Sequence, residues 1–328
     1  MDQVTHALTG LMLSRAGADR WCRHAAWLLP LAAVAPDVDL VSALGGTLSY
    51  VHIHRGYTHA LVLAPVMALL PMALVWLFSR RGFPWVRAYL LSLLGVASHL
   101  LLDWTNPYGV RFLLPFSDEW IGLGISDVVN VWIWAALLVA VAAPFLARLV
   151  NAEMGARSSS GRGWAIFALA SMAVILFGSF LMHRRAVAVL EARLAHGATP
   201  LRVAAVPGPL NPLRWRGIAE TDTFFTVSEV NLLAEFDPNA GGLYYKPEMS
   251  PALEAAQRTH FLRDYARFSP FLLWRVKSRP QPESGFEVEA MDLRFGTPEE
   301  PAFVMTTILD EKLRAQTTRF EFSPKRIP

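Results

Sequence analysis

Histidines and carboxylates recur through the first 130 residues at spacings that suit metal chelation. In His99-Leu100-Leu101-Leu102-Asp103 an imidazole and a carboxylate stand at i and i+4, on one face of a helix, where both can reach one ion. Pro36-Asp37-Val38-Asp39 carries two carboxylates two residues apart. On a continuous α-helix they would diverge by about 200°, so both face one site only if Pro36 ends or kinks the helix. The segment His52-Ile53-His54-Arg55-Gly56-Tyr57-Thr58-His59 precedes an apolar run. His59 is expected in the first turn of the following helix, with His54 and Arg55 in the turn above it and Gly56 admitting a tight backbone. His52 reads as an interfacial polar group.

Of the acidic residues before position 200, Asp37, Asp39, Asp103 and Asp127 lie in or at the edge of apolar runs, accompanied by His6, His54, His59 and His99. An ionised carboxylate at membrane depth costs at least about 2.5 kcal/mol, and Arg55 is the only cation in the same stretches. A divalent metal is the economical counter-charge. Imidazole with carboxylate suits zinc first, then manganese or iron. Cys22 is the single cysteine, which excludes an intramolecular disulfide framework and speaks against a thiolate zinc site.

These residues need apolar elements to hold them. The chain of 328 residues is 53% hydrophobic and 17% charged, with mean hydropathy +0.33, well away from the roughly 25% charged share of soluble domains. Runs at 60–78, 88–102, 128–149 and 164–182 are long enough, or nearly so, to span a hydrocarbon core of about 20 residues. A fifth run, 25–44, is broken or functional because of Pro36, Asp37 and Asp39. Val4, Ala7, Leu8, Leu11 and Met12 recur at helical spacing and predict an amphipathic first helix containing Thr5, His6 and Gly10. The expected fold is a mainly α membrane protein: a polytopic bundle of about five membrane segments plus that helix over 1–194, then a small α+β soluble domain over 195–328. In the latter, strands are predicted at 224–236, 286–295 and 302–309 and one helix at 251–268, separated by turns such as Asp237-Pro238-Asn239 and Arg279-Pro280-Gln281-Pro282.

The net charge of +3 sits in short arginine clusters flanking apolar runs, so it reads as topology, and no nucleic-acid partner is expected. Arg15, Arg20 and Arg23, then Arg80, Arg81 and Arg87, then Arg148, Arg157 and Arg162 fall on one side if each intervening pair of runs is a hairpin. This places the 52–59 loop, the end of the helix bearing His99 and Asp103, and everything after Met182 on the extracytoplasmic side. Arg184, Arg185 and Arg193 pull mildly the other way. Residues 155–163, rich in Gly and Ser, read as a loop between the last two runs. The opening MDQVTH lacks the basic segment of a secretory signal, so no processed leader is expected.

Taken in order, Asp2-x-x-Thr5-His6 with Gly10, Pro36-Asp37-x-Asp39, His54-Arg55-Gly56-x-Thr58-His59, and His99-x-x-x-Asp103-Trp104 with Tyr108-Gly109 resemble the YdjM-like family. Its members are described as inner-membrane-associated, LexA-regulated, metal-dependent hydrolases. The resemblance covers most of residues 1–130; Asp127 looks like the family's later aspartate, without the proline that often follows it. It implies a bacterial-type inner (cytoplasmic) membrane location and a hydrolytic metal site. The order of His and Asp motifs is also similar to the zinc-dependent phospholipase C and P1-type nuclease group, although that group's later His and HxxxE ligands are missing.

On this reading His59, His99, Asp103 and Asp37 hold at least one metal, with His6 and Asp127 as further ligands. Asp39, His54 or His6 completes a second site or serves as general base. Arg55 is expected to bind an anionic oxygen, since guanidinium matches phosphate bidentately, and a phosphoester or phospholipid is the preferred substrate class. The rival class is a transporter or ion/proton pathway built from the same cluster.

Overall fold

The computed structural model describes residues 1–79, 82–154, 161–281 and 284–323, except for the side chains of residues 150–154. The expected arginines at 80, 81 and 157, the Gly/Ser-rich stretch 155–160 and Pro282 lie outside the described residues. The chain forms two compact units. The first comprises Met1–Leu40, Arg55–Leu181 and Gly208–Pro212; the second comprises Val41–His54, Met182–Pro207 and Leu213–Pro328. By these units the chain leaves the first after Leu40 and returns to it at Arg55.

The first unit is helical. Helix α1 (Gln3–Leu13) is capped by Asp2, whose Oδ1 accepts from Thr5 N at 3.0 Å. A π-turn at Ser14–Ala18 and the short α2 (Asp19–Trp21) lead to α3 (Ala25–Val34), which passes into a 3-10 segment, Ala35–Gly45. Beyond α4 (Thr47–Ile53), which belongs to the second unit, two 3-10 turns at Tyr57–His59 and Leu61–Leu63 enter α5 (Ala64–Met67) and α6 (Leu69–Phe78). Then follow α7 (Trp85–Trp104), α8 (Val131–Met154) and α9 (Arg162–Glu191). Five helical segments among the described residues are long and apolar enough to cross a bilayer: Ala25–Gly45, Leu61–Phe78, Trp85–Trp104, Val131–Leu149 and Arg162–Glu191.

Helix α3 packs against both α1 and α7. Two glycines permit that approach: a Cβ at Gly10 would meet the Leu29 carbonyl oxygen at 2.5 Å, and one at Gly95 would meet Ala32 Cβ at 2.5 Å. Small residues at crossings are how apolar helices come close where no hydrophobic force drives them together. Leu28 and Leu29 of α3 are fully buried with Ala88 and Leu91 of α7, while Leu77, Phe78, Val86 and Leu101 face outward, as expected of helices solvated by lipid.

The second unit holds two four-stranded antiparallel sheets, each a meander in chain order. The first is β1 (Arg202–Pro207), β2 (Arg214–Glu220), β3 (Phe224–Asn231) and β4 (Gly242–Tyr245). After helices α10 (Pro251–Gln257) and α11 (His260–Phe268) comes the second sheet: β5 (Leu272–Arg279), β6 (Gly285–Asp292), β7 (Val304–Leu309) and β8 (Ala315–Glu321). Val206, Ile218, Phe225 and Val227 of the first sheet share a core with Phe271, Leu273 and Leu293. The helix predicted over 251–268 is two helices, interrupted at Arg258 and Thr259 and restarted with Thr259 as N-cap. The strand predicted over 224–236 ends at Asn231.

Candidate metal centre

Four side chains converge inside the first unit: Asp37, His59, His99 and Asp103, each contributing one donor atom, all within 4.8 Å of one another and all buried. Their spacing is regular. His59 Nε2 lies 3.5 Å from Asp37 Oδ1 and 3.5 Å from Asp103 Oδ2. His99 Nε2 lies 3.6 Å from Asp37 Oδ1, 3.4 Å from Asp103 Oδ2 and 3.1 Å from His59 Nε2. A tetrahedral zinc-type site with bonds of about 2.0–2.1 Å has donor–donor edges of about 3.3–3.4 Å. The five edges quoted bracket that value, and the mix of two imidazoles and two carboxylates is a donor set that zinc, manganese or iron accepts. The residues present fit a divalent ion.

Local structure explains how each donor arrives. Asp37 and Asp39 lie in the 3-10 segment that begins at Ala35. With about three residues per turn, residues two apart are only about 120° apart around the axis, so the two carboxylates clasp opposite edges of one imidazole. Asp37 Oδ1 faces His59 Nε2, and Asp39 Oδ2 lies 3.4 Å from His59 Nδ1. His59 sits in the 3-10 turn Tyr57–His59, before an extended Ala60, rather than in the first turn of the helix as the sequence suggests. His99 Nδ1 lies 2.7 Å from the Ala33 carbonyl, so Nδ1 carries the proton that donates to Ala33 and Nε2 offers its lone pair to the cluster. His99 and Asp103 stand at i and i+4 of α7, as their spacing predicts.

Around these four, other residues orient. Asp39 Oδ2 accepts from Thr58 Oγ1 at 2.7 Å and from the Arg55 backbone N–H at 3.0 Å. It therefore stands behind His59, as a carboxylate that aligns a metal-ligating imidazole does. Arg55 adopts φ 59°, a left-handed conformation that costs about 1–3 kcal/mol for a non-glycine residue. Both its ends are held: beyond the backbone bond to Asp39, Nη1 donates to Asn106 Oδ1 at 2.8 Å and Nη2 donates to Asp103 Oδ1 at 3.1 Å. Asp103 Oδ1 is also met by His6 Nε2 at 3.3 Å and by the Met1 amino group, whereas Asp103 Oδ2 makes no hydrogen bond. The two oxygens are thus divided, one toward cations and one toward the donor set.

His6 stacks on His99 with ring centroids 3.8 Å apart, and its Nδ1 is buried without a hydrogen-bond partner. One expected member, Asp127, lies elsewhere. Asp127 is half-buried in the loop before α8, bonded through Oδ1 to the Val128 N–H at 2.6 Å, and belongs to no candidate metal group among the described residues. Burial raises its carboxyl above the ordinary range. His54 caps α4 in the second unit and stacks on Tyr50 at 4.7 Å.

Two contributors escaped the sequence reading. Asn106, fully buried, accepts from Arg55 and from the Tyr108 N–H at 3.0 Å; its signal was a polar residue three positions beyond Asp103. Trp134 Nε1 donates to Thr5 Oγ1 at 2.9 Å and to Asp2 Oδ2 at 3.1 Å. Asp2 and Thr5 therefore anchor the start of α1 and leave His6, one residue on, for the site.

Comparison with known proteins agrees with this architecture. Residues 1–186 match the family model for the YdjM inner membrane protein, and residues 251–327 match that for the YfhP C-terminal alpha/beta plait domain. The chain is 25% identical to the uncharacterized protein YfhP of Bacillus subtilis, over 100% of this chain and 97% of that one. It is 39% identical to the inner membrane protein YbcI of Escherichia coli over 90 residues, 26% of this chain and 51% of that one. No solved structure matches it.

Proposed function

Because the chain belongs to the YdjM inner membrane protein family and buries a four-donor His/Asp set, we propose that it is a membrane-embedded, metal-dependent hydrolase acting on a phosphoester or phospholipid-like substrate. The observation that carries this reading is the near-tetrahedral spacing of Asp37, His59, His99 and Asp103. Those four would hold the ion. A zinc-class ion supplies Lewis acidity toward water and toward a phosphoryl or acyl oxygen.

The chain's own residues set up the chemistry. Asp39 keeps His59 oriented through Nδ1, and Ala33 does the same for His99. Arg55 is a positioning residue: with both Nη atoms committed to Asp103, Asn106 and the Gly109 carbonyl, it occupies Asp103 Oδ1 and leaves Oδ2 to the donor set. Of the groups considered for proton transfer, Asp39 is taken up by Thr58 and the Arg55 N–H. His6 faces Asp103 Oδ1 through Nε2 at 3.3 Å and keeps Nδ1 without a hydrogen-bond partner, and is the residue placed to hold a proton.

An amphiphilic substrate is favoured by the apolar approach to Asp37. A groove of about 680 Å³ lined by Val4, Leu8, Leu31, Val38, Leu70 and Leu74 runs to that carboxylate. It would hold an acyl chain while the headgroup reaches the donors. The arginine distribution of the sequence favours an extracytoplasmic C-terminal domain.

The test is metal analysis of detergent-purified protein combined with a screen of phosphoesters and phospholipids. Expected are stoichiometric metal in the wild type, loss of the buried ion in His99→Ala plus Asp103→Ala, and turnover that chelation abolishes. Retention of full metal content by that variant, or turnover indifferent to chelator and variant alike, overturns the proposal.

A further inference from the structure

The second unit contains another convergence of metal-ligating side chains, which the buried centre does not use. His260 and Asp264 stand at i and i+4 on α11, and His52 reaches them from the last turn of α4. His52 Nδ1 lies 3.2 Å from Asp264 Oδ2, and His260 Nε2 lies 3.3 Å from the same oxygen. The three donors all lie within 4.8 Å of one another. All three residues belong to the same compact unit.

Three features distinguish this from an incidental hydrogen bond. Both imidazoles aim at one carboxylate oxygen, at separations near the roughly 3.3–3.4 Å edge of a tetrahedral site with bonds of about 2.0–2.1 Å. The i, i+4 pair is a preformed chelate on one helical face. The rings are held by aromatic contacts: the two imidazole centroids are 5.1 Å apart in a tilted pair, and Phe261 packs edge-on against His52 at 6.1 Å and against His260 at 5.4 Å. The side chains are 40%, 56% and 28% exposed for His52, His260 and Asp264, so a bound ion keeps open positions for water.

We propose that His52, His260 and Asp264 form a second, solvent-accessible site for a divalent transition ion of the zinc class, which clasps α4 to α11. Helix α4 is the part of the second unit that the chain inserts between Asp39 and Arg55. One end of it is fixed where Thr47 Oγ1 donates to the Phe320 carbonyl at 2.6 Å; the ion fixes the other. Two imidazoles and a carboxylate favour such ions over magnesium or calcium, which prefer all-oxygen shells. The site is independent of the hydrolase reading, since it shares no residue with the buried four.

The experiment uses the full-length protein in detergent, stripped with chelator and titrated with Zn²⁺ and with Co²⁺, with bound metal counted after desalting and cobalt followed by its visible absorption. Two classes of site are expected. His52→Ala and His260→Ala should each remove the exposed class at least tenfold in affinity and leave the buried one. His99→Ala plus Asp103→Ala should do the reverse, so the two readings fail separately. In wild type, Zn²⁺ should protect His52 and His260 from diethyl pyrocarbonate, read by peptide mass spectrometry, a measurement that does not depend on any variant folding. Unchanged stoichiometry and affinity in His52→Ala and His260→Ala, or no protection of the two histidines, overturns the proposal.

Discussion

Asp37 and Asp39 are chemically identical and two positions apart, yet they serve opposite edges of His59. On the proposed reading Asp37 is a donor and Asp39 works through the imidazole. Removing the charge but not the shape of Asp39 should therefore weaken the site without abolishing it. Asp39→Asn is expected to lower metal affinity about 10–100-fold, the usual effect of losing an outer partner, while saturating metal still restores wild-type stoichiometry. Competition titration with a chromophoric chelator measures it. Complete loss of metal would make Asp39 a ligand, and unchanged affinity would make it a bystander. The sequence could name both carboxylates but not divide their roles, because that division depends on the 3-10 winding from Ala35 to Gly45, and Pro36 signals only that an α-helix stops. His99 and Asp103 were legible because a four-residue spacing has one helical meaning. His6 acquires its meaning only through Asp103, 97 residues away, and Asn106 through Arg55, 51 residues away.

Elements bring these residues together, and the decisive contacts are between helices. The α3–α7 crossing carries Asp37 toward His99 and Asp103, and it exists because Gly95 leaves room for Ala32. Gly95→Val should push the helices apart. Overpacking of this kind costs about 1–3 kcal/mol, and here it also separates donors from two elements. The expected result is a lower melting temperature and loss of the buried ion with helix content retained, read by circular dichroism and metal analysis. Gly163→Ala, on α9 with nothing within 4 Å of an added Cβ, should leave both unchanged. If Gly95→Val binds metal like wild type, the crossing does not set the site. Hydropathy made the spanning runs plain, and Asp237-Pro238-Asn239 marked a real turn. It could not reveal that Gly95, in an ordinary run of leucines, is a contact. Strand β8 was missed for a related reason: it is a sheet edge, mostly exposed, and shows no alternation for a pattern to detect.

At the scale of the whole molecule, the chain divides its charge as sharply as its hydropathy. Residues 1–200 contain arginine but no lysine, whereas the C-terminal region mixes lysine and arginine with a nearly equal number of acids. Short arginine clusters beside apolar runs orient a membrane protein, whereas balanced charge over a folded domain does not. Applied to five crossings, this rule predicts Arg15, Arg20, Arg23, Arg87, Arg148 and Arg162 on the cytoplasmic side and the C-terminal domain on the opposite one. The arginines at 184, 185 and 193 oppose this, but they stand on or just beyond the end of α9, and Arg184 and Arg185 lie where that helix has joined the second unit. Paired reporter fusions decide the matter: after Gly161 the cytoplasmic reporter should be active and the extracytoplasmic one silent, and after Gly197 the pattern should invert. The same side at both positions would refute the fifth crossing. An inverted pair would put the domain, and with it His52, His260 and Asp264, in the cytoplasm.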